Sequence, residues 1–289
     1  MPLKISSQLV QKLCNLSSWQ IENDDAFIRA LAWLYLQKPR HAQRIAQSLA
    51  PSSKAGLPGN PFWGAMNKLV YERIDLEERL TSTIETIRRE AKRELDARVS
   101  HRDGLLFQHI SWLAAAIQYP NSLKAPPHSR TADKGFDGLI LDVDLKCLEI
   151  SRLIMCEDKA STDPRPIVRK AVWDEFIAIS SGIRDDEVLS SVTSLLSTMN
   201  GISEDQVEDI LEAVCWQKVR QYRVALAVGK DREKKGEYKH LFKGFDKAHP
   251  SATDTTRYAE VMPMGDIRKF LEKVAVNVYA KLKEMKSHV

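Results

Sequence analysis

Glycine is scarce in this chain of 289 residues, with only 12 copies, and proline is no more frequent. Because glycine supplies the backbone conformations that tight turns need, its scarcity favours long helices over a many-stranded β-sandwich. Hydrophobic residues make up 43% and charged residues 28% of the chain, which excludes a disordered polymer, a collagen-like fibre and a small disulfide scaffold. The length permits one large domain or two modest ones.

Zinc-binding, secretory and membrane signals are also missing. The four cysteines form no CxxC pair, so zinc-site spacing is absent and buried free thiols are expected. The longest uncharged apolar stretch, Trp112–Ile117, is far shorter than the roughly 20 residues that cross a bilayer, and the N-terminus has no signal-peptide core. We expect a cytoplasmic protein with no membrane partner. P-loop, GxGxxG, HExxH and GxSxG motifs are absent as well.

The pattern of predicted elements changes near residue 100. Before it, helical periodicity dominates, as in Asp25–Ala50 and Glu72–Val99. After it, an apolar helix at Gly104–Gln118 precedes strands that alternate with helices. We predict an α/β fold in which a helical N-terminal region (1–100), suited to protein contacts, precedes a second domain (101–289). The predicted strands are Gly138–Val143, Leu148–Cys156, Arg223–Val228 and Arg257–Met262, and a closing helix spans Met264–Met285.

The most informative segment is the second predicted strand and the residues that follow it. Both of its faces are apolar through Cys156, which predicts an internal strand covered on both sides. Glu157, Asp158 and Lys159 follow without a turn residue, and alternation puts Glu157 and Lys159 on one face and Asp158 on the other. Charges at the end of a buried strand cost desolvation energy, which a salt bridge or a functional role normally offsets.

Asp137 begins the preceding predicted strand, so a short hairpin would place it opposite Glu157. Two converging carboxylates repel each other unless a cation lies between them, and oxygen ligands favour Mg²⁺ or Mn²⁺. Lys159 would reach the same space, where it could orient or help deprotonate a water aimed at a phosphodiester. A register slip of one or two residues would instead bring in Asp142, Asp144 or Asp158.

This arrangement resembles the PD-(D/E)XK nuclease superfamily over about residues 104–230. Asp137 matches the first acid of that pattern, Glu157 the second acid and Lys159 the lysine, and the sequence GFDG around Asp137 is similar to the Gly-x-Asp form of the Mrr-like branch. Gln108 stands in the upstream helix where that branch usually has a glutamate, although an amide oxygen could still hold a metal-bound water. The resemblance implies a restriction-endonuclease-like mixed β-sheet flanked by helices. It also implies a Mg²⁺-dependent nuclease, with Mn²⁺ as an alternative, whose metal ligands are Asp137 and Glu157.

A helical extension on a nuclease domain without an ATPase is also similar to phage-defence nucleases such as the effector subunit of Hachiman systems. That resemblance implies a helicase or another protein subunit as partner. Two other interpretations stay open. The chain could be a catalytically inactive adaptor with the same fold, or Glu157 and Lys159 could form a purely structural salt bridge.

Basic residues cluster after the third predicted strand. Residues 218–247 contain ten Lys or Arg against four Asp or Glu, whereas the formal net charge of the whole chain is +4. Phosphate binding needs such a local patch, although a solvated loop has the same composition. We predict nucleic acid, with DNA favoured, as the partner. The predicted contacts are Arg165, Arg169 and Lys170, just past the strand that ends in Lys159, together with Lys218, Arg220 and Arg223.

Overall fold

The structure, a computed structural model, describes residues 1–50, 61–70, 74–130, 135–144, 149–199, 202–215, 219–233, 237–250 and 252–287. In this part of the chain a seven-stranded sheet has the order β1-β2-β7-β6-β5-β4-β3. The strands are β1 Leu3–Val10, β2 Cys14–Ile21, β3 Leu123–Lys124, β4 Gly138–Asp144, β5 Glu149–Ala160, β6 Arg220–Gly229 and β7 Arg257–Met264.

Helices occupy the connections between the strands. Several begin at a polar cap: the Asn23 side chain accepts a hydrogen bond from the Ala26 N–H at 2.9 Å, which satisfies a backbone donor that the helix itself cannot pair. A π-helical turn at Val168–Val172 joins two of the helices. The helices are α1 Asp24–Tyr35, α2 Pro39–Ala46, α3 Pro61–Asn67, α4 Ile74–Leu80, α5 Glu85–Gln118, α6 Pro164–Ile167, α7 Trp173–Ser180, α8 Asp185–Leu196, α9 Glu204–Cys215, α10 Glu237–Leu241, α11 Phe245–Ala248 and α12 Ile267–Lys286.

The centre of the sheet is parallel and both of its margins are antiparallel. Strands β5, β6, β7 and β2 run side by side in one direction, whereas β1 opposes β2, β4 opposes β5, and β3 opposes β4. Because β4 runs against β5, the start of β4 lies at the same edge of the sheet as the end of β5. In parallel sheets, ligands bind at the edge formed by the carboxyl ends of the strands.

Both faces of the sheet are covered. The α5 face, which α1, α5 and α12 cover, has a core that includes Leu106 and Ala225. The α7 face, which α6–α11 cover, has a core that includes Met155 and Leu226. Neighbouring residues of one strand therefore enter different cores. Strand β5 lies between β4 and β6 and its residue Ile154 is fully buried on the α5 face, so the prediction of an internal strand is confirmed.

The prediction of a helical N-terminus is wrong for residues 3–21. This segment is the β1–β2 hairpin, and Leu16 of β2 pairs with Ala259 of β7. Leu16 and Trp19 are buried, but the strand that completes their sheet comes more than 200 residues later, so local periodicity could not reveal it. The predicted boundary at residue 100 falls inside α5, a single helix of 34 residues.

Beyond residue 100 the predicted order of strands agrees with the structure, except that the short strand β3 was not predicted. The four predicted strands correspond to β4–β7, the predicted hairpin is antiparallel, and the closing helix corresponds to α12. The fold is thus a mixed α/β sheet flanked by helices. Among the described residues, a helix long and apolar enough to span a membrane is not found.

Candidate active site

Asp137 and Glu157 lie opposite each other at the end of the β4–β5 hairpin. The ladder between these strands pairs Gly138 with Cys156, so one further step along the antiparallel register sets Asp137 against Glu157. This is the register that the sequence predicts. The two residues stand at the edge of the sheet formed by the carboxyl ends of the parallel strands.

Lys159 joins the two carboxylates. Its ammonium Nζ donates to Asp137 Oδ2 at 2.7 Å and to Glu157 Oε2 at 2.7 Å. Asp137 Oδ2 and Glu157 Oε2 both accept from this nitrogen, so these two oxygens are at most twice 2.7 Å apart. Glu157 and Lys159 lie on the same side of β5 because their positions differ by one pleat. The structure thus brings together all three residues that the motif singled out.

Asp137 accepts further hydrogen bonds that fix its carboxylate. The backbone N–H of Asp158 donates to Oδ2 at 2.8 Å, and the Gln108 side-chain amide of α5 donates to Oδ1. The carboxylate of Asp137 is consequently held from the strand on one side and from the helix on the other. Hydrogen bonds from two structural elements limit its rotation. Gln108, which the sequence predicts as an auxiliary residue, thus lies beside Asp137 and contacts it through its amide nitrogen.

Burial and charge shift the pKa values of this cluster. Burial, reinforced by the neighbouring Asp137 carboxylate, raises the pKa of Glu157 to about 7. Burial alone would lower the pKa of Lys159, but Glu157 and Asp137 outweigh it and raise that pKa. Lys159 therefore stays charged at neutral pH, while Glu157 is poised between its two protonation states. Perturbed pKa values of this kind are common at functional sites.

Asp158 points to the other side of β5, where it belongs to a buried cluster that we call the Arg223 cluster: Ser111, Asp158, Arg223 and Glu260. Ser111 Oγ of α5 donates to Asp158 Oδ1 at 2.6 Å. Arg223 Nη1 donates to Ser111 Oγ at 2.8 Å, and its Nε donates to Glu260 Oε2 at 2.8 Å. Arg223 and Glu260 are each only 1% exposed. Asp158 is therefore engaged in the interior, on the opposite side of β5 from Glu157.

Ser111 and Glu260 are not among the residues that the sequence pattern singles out. Both leave a faint signal, because each is a polar residue in an apolar setting: Ser111 lies in the helix that packs on the sheet and Glu260 lies in an internal strand. Only the tertiary arrangement gives these residues partners. Ser111 follows Gln108 by three positions on α5, so the two share one side of the helix. The same side of α5 therefore contacts both Asp137 and Asp158.

The donor set at Asp137 and Glu157 fits a hard divalent cation. Two carboxylates converge there, and carboxylate oxygens are the ligands that Mg²⁺ and Mn²⁺ prefer. Within the described segments, no group of three or more His, Cys, Asp or Glu side chains is placed to hold a metal ion. The protein would thus contribute two carboxylates, and water would complete the coordination shell, as is usual for Mg²⁺.

The other acids near this hairpin are occupied elsewhere. Arg152 Nε donates to Asp142 Oδ2 at 2.8 Å on the α5 face of the same two strands, farther along the hairpin from Asp137. Asp144 is exposed at the far end of β4. Neither residue approaches Glu157 in the observed register.

The predicted nucleic-acid contacts divide into two groups. Arg169 and Lys170 are exposed on the π-helical turn, and Arg165 is half-buried on α6. Arg220 and Arg223 do not fit their predicted role, because both are buried in β6 and bound to acids of the protein: Arg220 Nη1 donates to Asp185 Oδ1 at 2.6 Å and Arg223 binds Glu260. Lys218 lies outside the described residues.

Comparison with known proteins returns no relative. No family model matches the chain, and neither a curated protein nor a solved structure matches it.

Proposed function

We propose that this protein is a metal-dependent nuclease of the PD-(D/E)XK type, which hydrolyses phosphodiester bonds of nucleic acid, with DNA favoured. The observation that carries the proposal is the contact of one ammonium, Lys159 Nζ, with both Asp137 and Glu157. Two carboxylates and a lysine converge at the edge of the sheet where ligands bind. The restriction-endonuclease-like character of the sheet is part of this proposal.

Asp137 and Glu157 would hold Mg²⁺, or Mn²⁺ in its place. The ion, when bound, supplies a Lewis acid that stabilises negative charge on the phosphoryl oxygens and lowers the pKa of its water. The protein's own residues prepare this site. Gln108 and the Asp158 N–H hold the Asp137 carboxylate in one orientation, which reduces the rearrangement needed for ligation.

Lys159 has two roles in this proposal. Its charge offsets part of the repulsion between Asp137 and Glu157, which keeps both carboxylates close together before a cation arrives. Its side chain is 27% exposed, so the ammonium can also reach a substrate. There it would donate a hydrogen bond to a phosphate oxygen or to the attacking water.

A biological setting follows from the same proposal. The resemblance to phage-defence nucleases such as the effector subunit of Hachiman systems suggests an antiviral or DNA-processing complex. Within the chain no P-loop supplies ATP hydrolysis. A helicase subunit is the partner that we propose on this basis.

Cleavage of supercoiled plasmid DNA tests the proposal. We expect nicking or linearisation with Mg²⁺ or Mn²⁺ and none with EDTA. Glu157→Gln and Lys159→Ala should each lower the cleavage rate about 100-fold or more, because each removes a charged group from the reacting centre. Glu157→Gln should not lower the melting temperature, since its amide oxygen can still accept from Lys159. Asp142→Asn, on the same hairpin, is the matched control and should cleave normally.

A second candidate function is a nucleic-acid-binding adaptor without catalysis. It is favoured because the two carboxylates already have a cationic partner in Lys159, and because Gln108 stands where the resemblance would place an acid. Isothermal titration with Mg²⁺ and Mn²⁺, alone and with plasmid DNA or RNA, separates the two functions. Absence of both metal binding and cleavage would favour the adaptor, whereas full cleavage by both site variants would place the active site elsewhere.

A further inference from the structure

Two basic segments that are far apart in the sequence come together on the α7 face of the sheet. One comprises α6 and the π-helical turn, with Arg165, Arg169 and Lys170. The other comprises α10, α11 and the turn between them, with Lys239, Lys243 and Lys247. We call these six residues together the basic face.

Three contacts hold the two segments against each other. Arg165 Nη1 donates to the carbonyl oxygen of Leu241 at 2.9 Å, and Trp173 Nε1 donates to that of Lys243 at 3.2 Å. The Trp173 ring also stacks on Phe245, with ring centroids 4.8 Å apart. These contacts join α6 and α7 to α10 and α11, so the cations of both segments belong to one continuous surface.

The cations of the basic face are available for a partner. Arg169, Lys170, Lys239, Lys243 and Lys247 are exposed, and no ion pair joins any of the six to a described acid. Arg169 also repels Arg165: burial lowers the pKa of Arg165, and the positive charge of Arg169 lowers it further. The acids within the same two segments are Glu237 and Asp246, and Asp163, Asp174 and Glu175 flank the first segment.

The basic face lies beside the candidate active site. Glu157 and Lys159 occupy the same side of β5 as Met155, which packs into the core under α6–α11. Arg165 follows Lys159 by six residues, which limits the separation of their Cα atoms to about 20 Å. A phosphate backbone that reaches Lys159 can therefore extend over this surface.

We propose that the basic face binds the phosphate backbone of the nucleic acid whose scissile bond lies at Lys159. Lysines and arginines that form no ion pair within the protein release counterions from a phosphate backbone, which provides affinity without reading sequence. This inference rests on the proposed function for its substrate, and it adds Lys239, Lys243 and Lys247 to the surface that holds that substrate.

Binding of a fluorescein-labelled 30-base-pair duplex, followed by anisotropy in EDTA across a series of salt concentrations, tests this inference. The triple variant Lys239→Gln, Lys243→Gln, Lys247→Gln should bind about tenfold more weakly or worse, and the slope of log K against log salt should fall by about 1 for each phosphate that is no longer neutralised. The matched control is Lys273→Gln, Lys283→Gln, Lys286→Gln, since α12 covers the opposite face. The control should retain the wild-type slope.

Because the assay excludes metal and needs no cleavage, it separates this inference from the proposed catalysis. Equal weakening of binding in both triple variants, or no duplex binding by the wild type, would overturn it. A poly-glutamate competitor provides the remaining comparison. If poly-glutamate at equal charge binds as tightly as the duplex and depends on the same three lysines, the surface fits an acidic protein, and the assignment to nucleic acid fails.

Discussion

Two clusters of the same composition lie on opposite sides of β5. Each combines two carboxylates with one base: Asp137, Glu157 and Lys159 at the edge of the sheet, and Asp158, Glu260 and Arg223 in the interior on the α5 face. They differ in the base and in access to solvent. Lys159 is 27% exposed, whereas the Arg223 side chain is 1% exposed.

This difference indicates that the two clusters beside β5 have different roles. Arginine presents a rigid fork that stays charged, which suits a permanent connection between strands and helix. Lysine is a point charge on a flexible stem, and it can leave a carboxylate when a cation or a phosphate arrives. We therefore interpret the Arg223 cluster as the support of the site and the Lys159 cluster as the site itself.

The largest expected effect on stability comes from removing Arg223, the base on the α5 face. Arg223→Met leaves the buried Asp158 and Glu260 without a cation, which should lower the free energy of unfolding by about 3–5 kcal/mol. Lys159→Met should cost clearly less, because Lys159 is itself partly exposed and because Gln108 and the Asp158 N–H still donate to Asp137. Urea denaturation of both variants at pH 7 measures the difference. Equal destabilisation would show that the two clusters are not distinct in role.

Glu157 and Asp158, the two acids near the end of β5, should both make stability depend on pH. Burial raises the pKa of Glu157 to about 7 and that of Asp158 to about 7. The folded state thus keeps protons that the unfolded state has released, so the free energy of unfolding should fall as pH rises from 5 to 8. Glu157→Gln and Asp158→Asn should each flatten this dependence in urea denaturation. Mg²⁺ at pH 8 should stabilise the wild type and Asp158→Asn more than Glu157→Gln, and equal stabilisation of all three would contradict the comparison.

The smallest expected effect comes from the hydroxyl that links α5 to the Arg223 cluster. Ser111→Ala removes the donor to Asp158 and an acceptor for Arg223, which should lower the free energy of unfolding by about 1 kcal/mol. Mg²⁺ affinity should change little, since the hydrogen bonds that hold the Asp137 and Glu157 carboxylates come from other residues. Thr193→Ala on the exposed side of α8 is the control. A large drop in Mg²⁺ affinity in Ser111→Ala would show that the two clusters act as one.

The candidate site was predictable because its geometry is local. A hairpin joins Asp137 to Glu157, and alternation within one strand places Lys159 beside Glu157 and Asp158 on the other side. The same local rules failed for Arg223, whose partner Glu260 is on another strand of the sheet. A count of basic residues cannot distinguish an arginine in a buried strand from one on the surface.

The N-terminal hairpin shows the same limit at a longer range. Leu16 is buried only because β7 lies next to β2, and Arg257 Nε donates to the Leu13 carbonyl oxygen at 2.6 Å. Neither contact has a signature in the first 21 residues. In contrast, α12 was predictable because its apolar stripe repeats every three or four residues within a single segment.

The position of β2 beside β7 has a consequence for biosynthesis. During translation the β1–β2 hairpin emerges well before its neighbour in the sheet, Arg257–Met264, which follows more than 200 residues later. A pairing across so much of the chain slows folding, and an isolated two-stranded hairpin is at best marginally stable. Closure of the sheet by β2 is therefore expected to be a late event in folding, which cannot begin before β7 has been synthesised.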